Sequence, residues 1–467
     1  MFKALIATVL LAAASLAGAA PAVLAPSRFN DTTIVDASPL GTRTPLVLVH
    51  GLGGGPEGWE TFLHAYQQNA AWRALFKPYS FNYSTAALEV ALDPSAPRTI
   101  SAVGAALRAQ LQAYYDKPVT APDFGFGKKR VVILAHSMGG LVARAMMQEQ
   151  VFADGLRGGD KVLHLITLST PHHGTPLADA AVKLGLPAIA EISDTWPGFI
   201  ADSTWTNYDG LDMGSAACNP WLAQLNNYAP SSGATLGKCG IVTGKPLPGF
   251  YEKIVAYGAH DLQSPQLQAG FGVFRPGSST SLLPSYGYLH EGLSRSYGND
   301  AVVPFASAQF DGAPVFRRAE AYSCDHRYIH RGYRQTVISW KGSYDEWAFC
   351  SATVGDAAYT SGSGNGYATS GSIFGAPGGI VDVIRAASNA ERVMDWAETA
   401  FANVLQHPGG STTQIGLGFY YRYYASTHAY VGVKDGVLYY LGPASNQQLV
   451  GIATVASLLA AAQAAGY

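Results

Sequence analysis

Short apolar runs alternate with amphipathic stretches along the chain from about residue 45 to residue 340. Residues 45–50, 130–135 and 161–168 are largely apolar, which is typical of strands buried on both faces of a sheet. Residues 100–115 and 138–150 instead carry apolar side chains at helical spacing. Because strands alternate with helices, the pattern predicts an α/β fold with a mostly parallel central sheet covered by helices on both faces. Further strands are predicted at 79–83 and 252–257.

The pattern changes after residue 350. Residues 351–387 include the segment SGSGNGYATSGSIFGAPGG, whose glycine and serine content predicts a flexible linker. Ser388 and Glu391 then have the spacing of a capping box, which predicts the start of a helix. Strands rich in tyrosine, an Asp-Gly turn and an Ala/Leu-rich helix follow, so residues 388–467 are expected to form a small separate α+β domain.

The first residues have the pattern of a secretory signal peptide, which we assign to residues 1–19. One lysine precedes a short apolar run, and the small residues from Ala17 to Ala19 fit a cleavage site. No other stretch is long and apolar enough to cross a membrane. A secreted, extracellular protein is therefore expected, with a periplasmic or cell-surface location as the alternative.

The chain has four cysteines. An even number in an exported protein suggests disulfides, and four cysteines allow three pairings. Closeness in sequence favours Cys218–Cys239 and Cys324–Cys350. No cysteine or histidine cluster has the spacing of a zinc site, and no cofactor is expected.

Composition narrows the functional classes. The chain has 467 residues, which suggests two or three domains, and is 48% apolar and 13% charged. Its formal net charge is -2, and no basic run of five or more residues occurs. These features argue against nucleic acid or an anionic membrane as a partner.

The first candidate for chemistry is Ser137, which lies between a predicted strand and a predicted helix. Ala135 and Gly139, two residues before and after the serine, are small enough to let strand and helix approach closely around a tight turn. Ala135 replaces the glycine that is commoner at that position. A serine presented on such a turn is a candidate nucleophile that needs a base, a group that orients the base, and donors for an oxyanion.

A second candidate element is the turn HGLGG at residues 50–54, directly after the first buried strand. The backbone N–H groups of Leu52 and of Met138, the residue after the serine, are expected to point at the developing negative charge. Each such donor can contribute ~3–4 kcal/mol of transition-state stabilisation. A plain flexible turn is the alternative interpretation of these glycines.

Several stretches resemble, in family order, the secreted bacterial lipases and esterases of the α/β-hydrolase superfamily. They read LVLVHGLGG, AHSMGGLVAR, LSTPHHGTPLAD, NPWLAQLN, GNDAVVP and finally Asp325-His326. The likeness covers roughly residues 45–340 and implies an α/β-hydrolase fold, with a catalytic domain over residues 26–345 and a lid insertion. The expected fold class is therefore an α/β-hydrolase domain followed by the small C-terminal α+β domain.

The resemblance implies that Asp300 is the acid and His326 the base of a catalytic triad with Ser137. The order serine, acid, histidine agrees with this fold. Asp261, directly after a predicted strand, remains an alternative acid, and His330 remains an alternative base. Four nearby residues are interpreted as structural or loop-fixing: His136, His172, His173 and Asp325.

The resemblance also places a lid at residues 177–230, a segment that mixes apolar and aromatic residues with glycine and proline. An ordinary packed insertion is the alternative. Many relatives carry a calcium ligand two residues after the catalytic histidine, where this chain has Tyr328. Calcium is therefore possible in this family but not indicated here.

Three functions follow from these features. The first is a serine carboxylester hydrolase of the lipase or esterase type, acting on lipid or other ester substrates at an interface. The second is an extracellular polyester depolymerase, which the linker and the C-terminal domain would suit. The third is a non-catalytic surface-binding protein on a hydrolase scaffold.

The tyrosines of the C-terminal domain would either bind a polymer surface or form the core of the sheet in that domain.

Overall fold

A computed structural model provides the architecture. It describes residues 23–26, 28–29, 34–36, 38–52, 54–83, 99–121, 125–178, 220–227, 246–260, 289, 298–322, 324–331, 333–339, 342–355, 367–375, 378–400, 420–424, 429–434, 437–441 and 449–467.

The strands are numbered in chain order. They are β1 (Val23–Pro26), β2 (Arg28–Phe29), β3 (Ile34–Val35), β4 (Thr44–Val49), β5 (Phe76–Asn82), β6 (Val131–His136), β7 (Val162–Leu168), β8 (Ile254–His260), β9 (Arg317–Tyr322), β10 (Tyr333–Ser339), β11 (Gly342–Ala348), β12 (Ser351–Gly355), β13 (Tyr367–Ser372), β14 (Tyr420–Tyr424), β15 (Ala429–Lys434), β16 (Val437–Leu441) and β17 (Leu449–Thr454).

The helices within the described ranges are α1 (Glu60–Gln68), α2 (Ala70–Leu75), α3 (Ile100–Tyr115), α4 (Met138–Glu149), α5 (Pro220–Asn226), α6 (Phe305–Ala308), α7 (Tyr328–Arg331), α8 (Ile380–Ala400) and α9 (Val455–Ala464). Short 3-10 helices span Pro56–Trp59, Gly158–Lys161 and Tyr251–Lys253.

Among the described residues, the main sheet has nine strands in the order β1-β5-β4-β6-β7-β8-β9-β12-β13. Six of them, from β5 to β9 along the sheet, run parallel to one another. β1 pairs antiparallel at one edge, and β12 and β13 pair antiparallel at the other. The carboxyl ends of the parallel strands therefore meet at one edge, where ligands of such sheets usually bind.

Both faces of the parallel sheet are buried, because side chains alternate between two apolar cores along each strand. Leu48, Leu134 and Ile166 lie in register on one face, where they join side chains of α1 and α8. Val49 and Ile133 point to the other face and pack against α3 and α4. Continuous apolar strands are thus explained by burial on both sides.

The predicted α/β fold with a mostly parallel central sheet is confirmed. The predicted strands at 45–50, 130–135 and 161–168 correspond to β4, β6 and β7 within one residue at either end. The helix predicted at 100–115 is α3, in which the Thr99 hydroxyl accepts a hydrogen bond from the Ala102 N–H at the N-terminus. The predicted C-terminal strands and last helix form the antiparallel sheet β14-β15-β16-β17 and α9.

The linker prediction needs correction. Residues 351–387 contain β12 and β13, which extend the main sheet, and the first turns of α8. Ser388 does not begin a helix, because α8 already begins at Ile380 and the Ser388 hydroxyl donates to the Ile384 carbonyl one turn earlier. A serine inside a helix commonly makes this bond, so the short capping pattern was misleading.

The C-terminal residues contact the part of the chain that carries the parallel strands through buried polar groups. Arg130, just before β6, forms an ion pair with Glu391 of α8 at 2.5 Å. Arg422 of β14 contacts the same carboxylate at 2.9 Å. The Tyr421 hydroxyl donates to Glu252 at 2.6 Å. Helix α8 therefore contacts both sheets. The predicted domain boundaries stay a prediction.

Some predictions fall on residues outside the described part of the chain. They include the signal peptide at 1–19, Cys218 and Cys239, Asp261, and most of the proposed lid at 177–230. Within the described residues, no helix combines the length and the apolar character that a membrane crossing requires.

Candidate active site

Ser137 occupies a strained turn between β6 and α4. Its backbone has φ 53° and ψ -132°, a conformation that residues with a side chain rarely adopt. Its N–H donates to the Leu168 carbonyl of the neighbouring strand at 2.9 Å. Only 9% of the residue is exposed. The turn matches the predicted nucleophile position, at the carboxyl end of a central strand.

Glycines around this turn leave no room for a side chain. A Cβ on Gly51 would lie 2.8 Å from the Cβ of Ser137, and one on Gly139 would lie 2.4 Å from the His50 carbonyl oxygen. A Cβ on Gly140 would lie 2.0 Å from the Thr170 hydroxyl oxygen. The glycines of both sequence motifs thus allow the close approach of two loops to the serine.

Ser137, His326 and Asp300 form one chain of hydrogen bonds. The distance from His326 Nε2 to Ser137 Oγ is 2.8 Å. His326 Nδ1 lies 2.8 Å from Asp300 Oδ2. Because a carboxylate accepts, Nδ1 carries the proton and Nε2 is free to accept from the serine hydroxyl. This is the arrangement that activates a serine.

Asp300, the proposed acid, lies in a tight turn between β8 and α6. Asp300 is fully buried, and its Oδ1 accepts from the N–H groups of Val302 and Val303 at 2.9 and 2.7 Å. Its own carbonyl accepts from the His326 N–H at 2.8 Å. The second carboxylate oxygen is therefore the one left to face the imidazole.

His326, the proposed base, lies in the loop between β9 and α7. Cys324, two residues before His326, forms a disulfide with Cys350, as predicted. Asp325 accepts from the N–H groups of Arg327 and Tyr328 at 2.9 and 3.0 Å, which fits the predicted loop-fixing role. The disulfide and this turn hold the loop from both sides of the histidine.

Four other buried histidines contact the residues around this site. The His330 ring stacks on the His136 ring at 3.6 Å. His172 stacks on Phe310 at 4.4 Å, and His173 Nε2 lies 2.9 Å from the Asp311 carbonyl oxygen. Burial lowers the pKa of each of these four imidazoles below its usual value.

The turn after β4 is held by His50 and Tyr83. His50 Nδ1 donates to the Gly51 carbonyl at 2.8 Å, while its Nε2 accepts from the Tyr83 N–H at 3.1 Å. The two rings stack at 4.1 Å. Neither Leu52 nor Met138 donates its backbone N–H to another described residue. Both N–H groups are thus compatible with the oxyanion role predicted from the sequence. That role stays a proposal.

The described residues contain no group of three or more histidine, cysteine, aspartate or glutamate side chains that could hold a metal ion. Tyr328, at the position where many relatives have a calcium ligand, begins α7.

Sequence reasoning missed two contacts of the site. His136 was interpreted as structural, but its Nε2 lies 2.8 Å from the carbonyl oxygen of the proposed base, His326. The pairing of Tyr83 with His50 was not predicted either. Both contacts join segments far apart in sequence, and no local pattern signals them.

The comparisons with known proteins fit this geometry. Residues 41–196 match the family model described as the PGAP1-like alpha/beta domain. The match covers the proposed oxyanion turn, the strained serine and the TPHHGT loop. The chain has the α/β-hydrolase fold. The resemblance found in the sequence is thereby confirmed at the level of the fold, and none of the curated proteins matches the chain.

Solved structures that are similar to this chain include three bacterial proteins, two of which are lipases. The mature lipase BlEst2 of Bacillus licheniformis is 18% identical, with 67% of this chain and 94% of that one covered, at a TM-score of 0.37. The Staphylococcus hyicus lipase is 15% identical, with 64% and 92% covered, at 0.34. EstA from Clostridium botulinum is 14% identical, with 70% and 92% covered, at 0.31.

Proposed function

We propose that this α/β-hydrolase is a serine carboxylester hydrolase of the lipase or esterase type. The observation that supports this most strongly is the continuous hydrogen-bonded chain from Ser137 through His326 to the buried Asp300. The three side chains come from loops far apart in sequence, and each donor in the chain faces an acceptor. Such an arrangement is typical of nucleophilic catalysis.

In this proposal Ser137 attacks the ester carbonyl while His326 Nε2 takes its proton. Asp300 holds the imidazole in the correct tautomer and stabilises the imidazolium that forms. The backbone N–H groups of Leu52 and Met138 stabilise the oxyanion. His326 then gives the proton to the leaving alcohol, which leaves an acyl-enzyme on Ser137. Water, activated by the same histidine, releases the acid and restores the serine.

The substrate and the location are part of the proposal. Leu52 of the proposed oxyanion turn is apolar and only partly buried, which would suit contact with an acyl chain. The Cys324–Cys350 disulfide suits an oxidising compartment, which supports export of the protein. The polyester alternative loses part of its support, because residues 351–355 and 367–372 lie in the main sheet rather than in a flexible linker.

The test is a rate profile of the purified protein on nitrophenyl esters from acetate to palmitate, beside Ser137→Ala. Cleavage by the wild type and none by the variant supports the serine hydrolase, and the chain-length preference separates lipase from esterase. Equal inertness of both folded proteins would contradict the proposal and favour the binding-protein alternative.

A further inference from the structure

We propose that His136 is a positioning residue for the base, holding His326 through its backbone while the triad acts on its side chain. The inference rests on the proposed function and goes beyond it, since it assigns a role to the residue next to the nucleophile. His136 contacts the backbone of His326, lies next to the nucleophile and is packed against further rings.

Both backbone polar groups of His326 are held by the rest of the site. Its N–H donates to the Asp300 carbonyl at 2.8 Å. Its carbonyl lies 2.8 Å from His136 Nε2. A carbonyl oxygen can only accept, so His136 donates from Nε2 and is held in one tautomer. The backbone of the base is therefore fixed between the acid and the neighbour of the nucleophile.

His136 is well placed to set the distance between base and serine. It is the last residue of β6 and directly precedes Ser137, whose strained backbone fixes their relative positions. A ring anchored there ties the loop of His326 to the strand that carries the nucleophile. The 2.8 Å contact from His326 to the serine hydroxyl then depends on this bond as well as on the disulfide.

The His136 ring is itself held by a stack of rings. His330 lies parallel to it, with ring centres 3.6 Å apart and an angle of 18°. Trp59 packs edge-on against His330 at 5.4 Å. Gly58 leaves room for this, because a Cβ there would lie 2.9 Å from His330 Nε2. The stack connects the segment after the oxyanion turn with the base, so both halves of the site share one support.

Burial supports this role. It lowers the pKa of His136 and of His330 well below the usual value, so both rings stay neutral near neutral pH. The neighbouring charged groups Arg327 and Arg331 lower the pKa of His330 further. A neutral His136 keeps its donor on Nε2 and adds no positive charge beside the imidazolium of the proposed mechanism.

The experiment compares His136→Phe with His136→Gln. Phenylalanine keeps a ring against His330 but removes the donor, whereas the glutamine amide nitrogen reaches about as far as imidazole Nε2. We expect His136→Phe to lower kcat by ~10- to 100-fold on a short soluble ester, because a displacement near 1 Å can cost about 100-fold. KM should change little, and His136→Gln should restore most of the rate.

A matched control is His164→Phe. His164 is also a buried histidine whose ring contacts a backbone carbonyl, that of Lys253 at 3.0 Å, but it pairs with Val132 near the opposite end of the strands. Its loss should lower the melting temperature without a selective fall in kcat. His136→Asn, whose amide is too short to reach, replaces His136→Phe if that variant does not fold.

The outcomes separate the two proposals. A wild type as inert as Ser137→Ala on esters overturns the proposed function. An active wild type, with folded His136→Phe and His136→Asn at full kcat, overturns the positioning role and leaves the function intact. Loss of rate that follows stability alone, as in His164→Phe, also overturns it. A fall in kcat that only glutamine rescues supports it.

Discussion

Asp300→Asn tests the triad by replacing one carboxylate oxygen with an amide nitrogen. In the native turn Oδ1 accepts from the N–H groups of Val302 and Val303, and Oδ2 faces His326 Nδ1 at 2.8 Å. An asparagine must keep its oxygen toward the two backbone donors, because its NH2 group cannot accept from them. The NH2 group then faces Nδ1, which must accept from it, so the ring proton of His326 moves to Nε2. A protonated Nε2 can no longer take the proton of Ser137.

The expected effect is large because the wrong tautomer blocks the first step. A triad with its acid changed to asparagine loses ~10⁴-fold in kcat while the geometry is kept. At ~1.36 kcal/mol for each factor of ten, this is ~5 kcal/mol of transition-state stabilisation. The free energy of unfolding should change little, because asparagine preserves the two backbone hydrogen bonds of Oδ1.

The assay is hydrolysis of a short nitrophenyl ester at saturating substrate, with Asp325→Asn as the control. Asp325 accepts two backbone N–H groups in the same loop as the base, and asparagine can do the same. The control should stay within ~3-fold of wild type, as expected for a retained cap. Asp300→Asn with near wild-type kcat would refute the reasoning and turn attention to Asp261 as the acid.

Two further predictions concern stability and the base loop. Burial alone would raise the pKa of Glu391, but Arg130 and Arg422 outweigh it and hold that pKa well below its usual value. Its stabilising effect is thus present above the unfolded-state pKa of ~4.3 and is lost as pH falls. Glu391→Gln should lower the free energy of unfolding by ~3–5 kcal/mol at pH 7, since it leaves the buried Arg130 without its carboxylate partner. In urea titrations this difference should shrink below pH ~4, and a difference independent of pH would contradict the argument. Reduction of Cys324–Cys350, which are 26 residues apart, should cost ~3–4 kcal/mol by loop entropy and lower esterase activity before global unfolding. Full activity in reduced, folded protein would show that the disulfide does not hold the base.

The parts of the fold predicted from the sequence are those with local causes. Strands β4, β6 and β7 are apolar runs, and α3 is an amphipathic stretch with a threonine at its start. The tight turn at Ser137 was predicted because a strand, small residues and a helix adjoin in sequence. The acid and the base rested on family order instead, since nothing local to Asp300 or His326 shows that they meet.

The remaining features depend on contacts between distant segments. β12 and β13 join the sheet by backbone pairing with β9, although their glycine and serine content suggested a linker. Helix α8 begins eight residues before the predicted cap because Ile380 and Ile384 are buried in the core against the sheet. The bond from His136 to His326 depends on two loops meeting. Short sequence motifs do not encode such contacts, so these features could be found only in the structure.

The most direct test of the central claim is chemical labelling of the nucleophile. The purified protein would be treated with a nitrophenyl alkylphosphonate, and the adduct mapped by peptide mass spectrometry. The account predicts one adduct per chain, on Ser137, none in Ser137→Ala, and much slower labelling in Asp300→Asn. An adduct on a different residue, or equal labelling of Ser137→Ala, would contradict the assignment of Ser137 as the nucleophile.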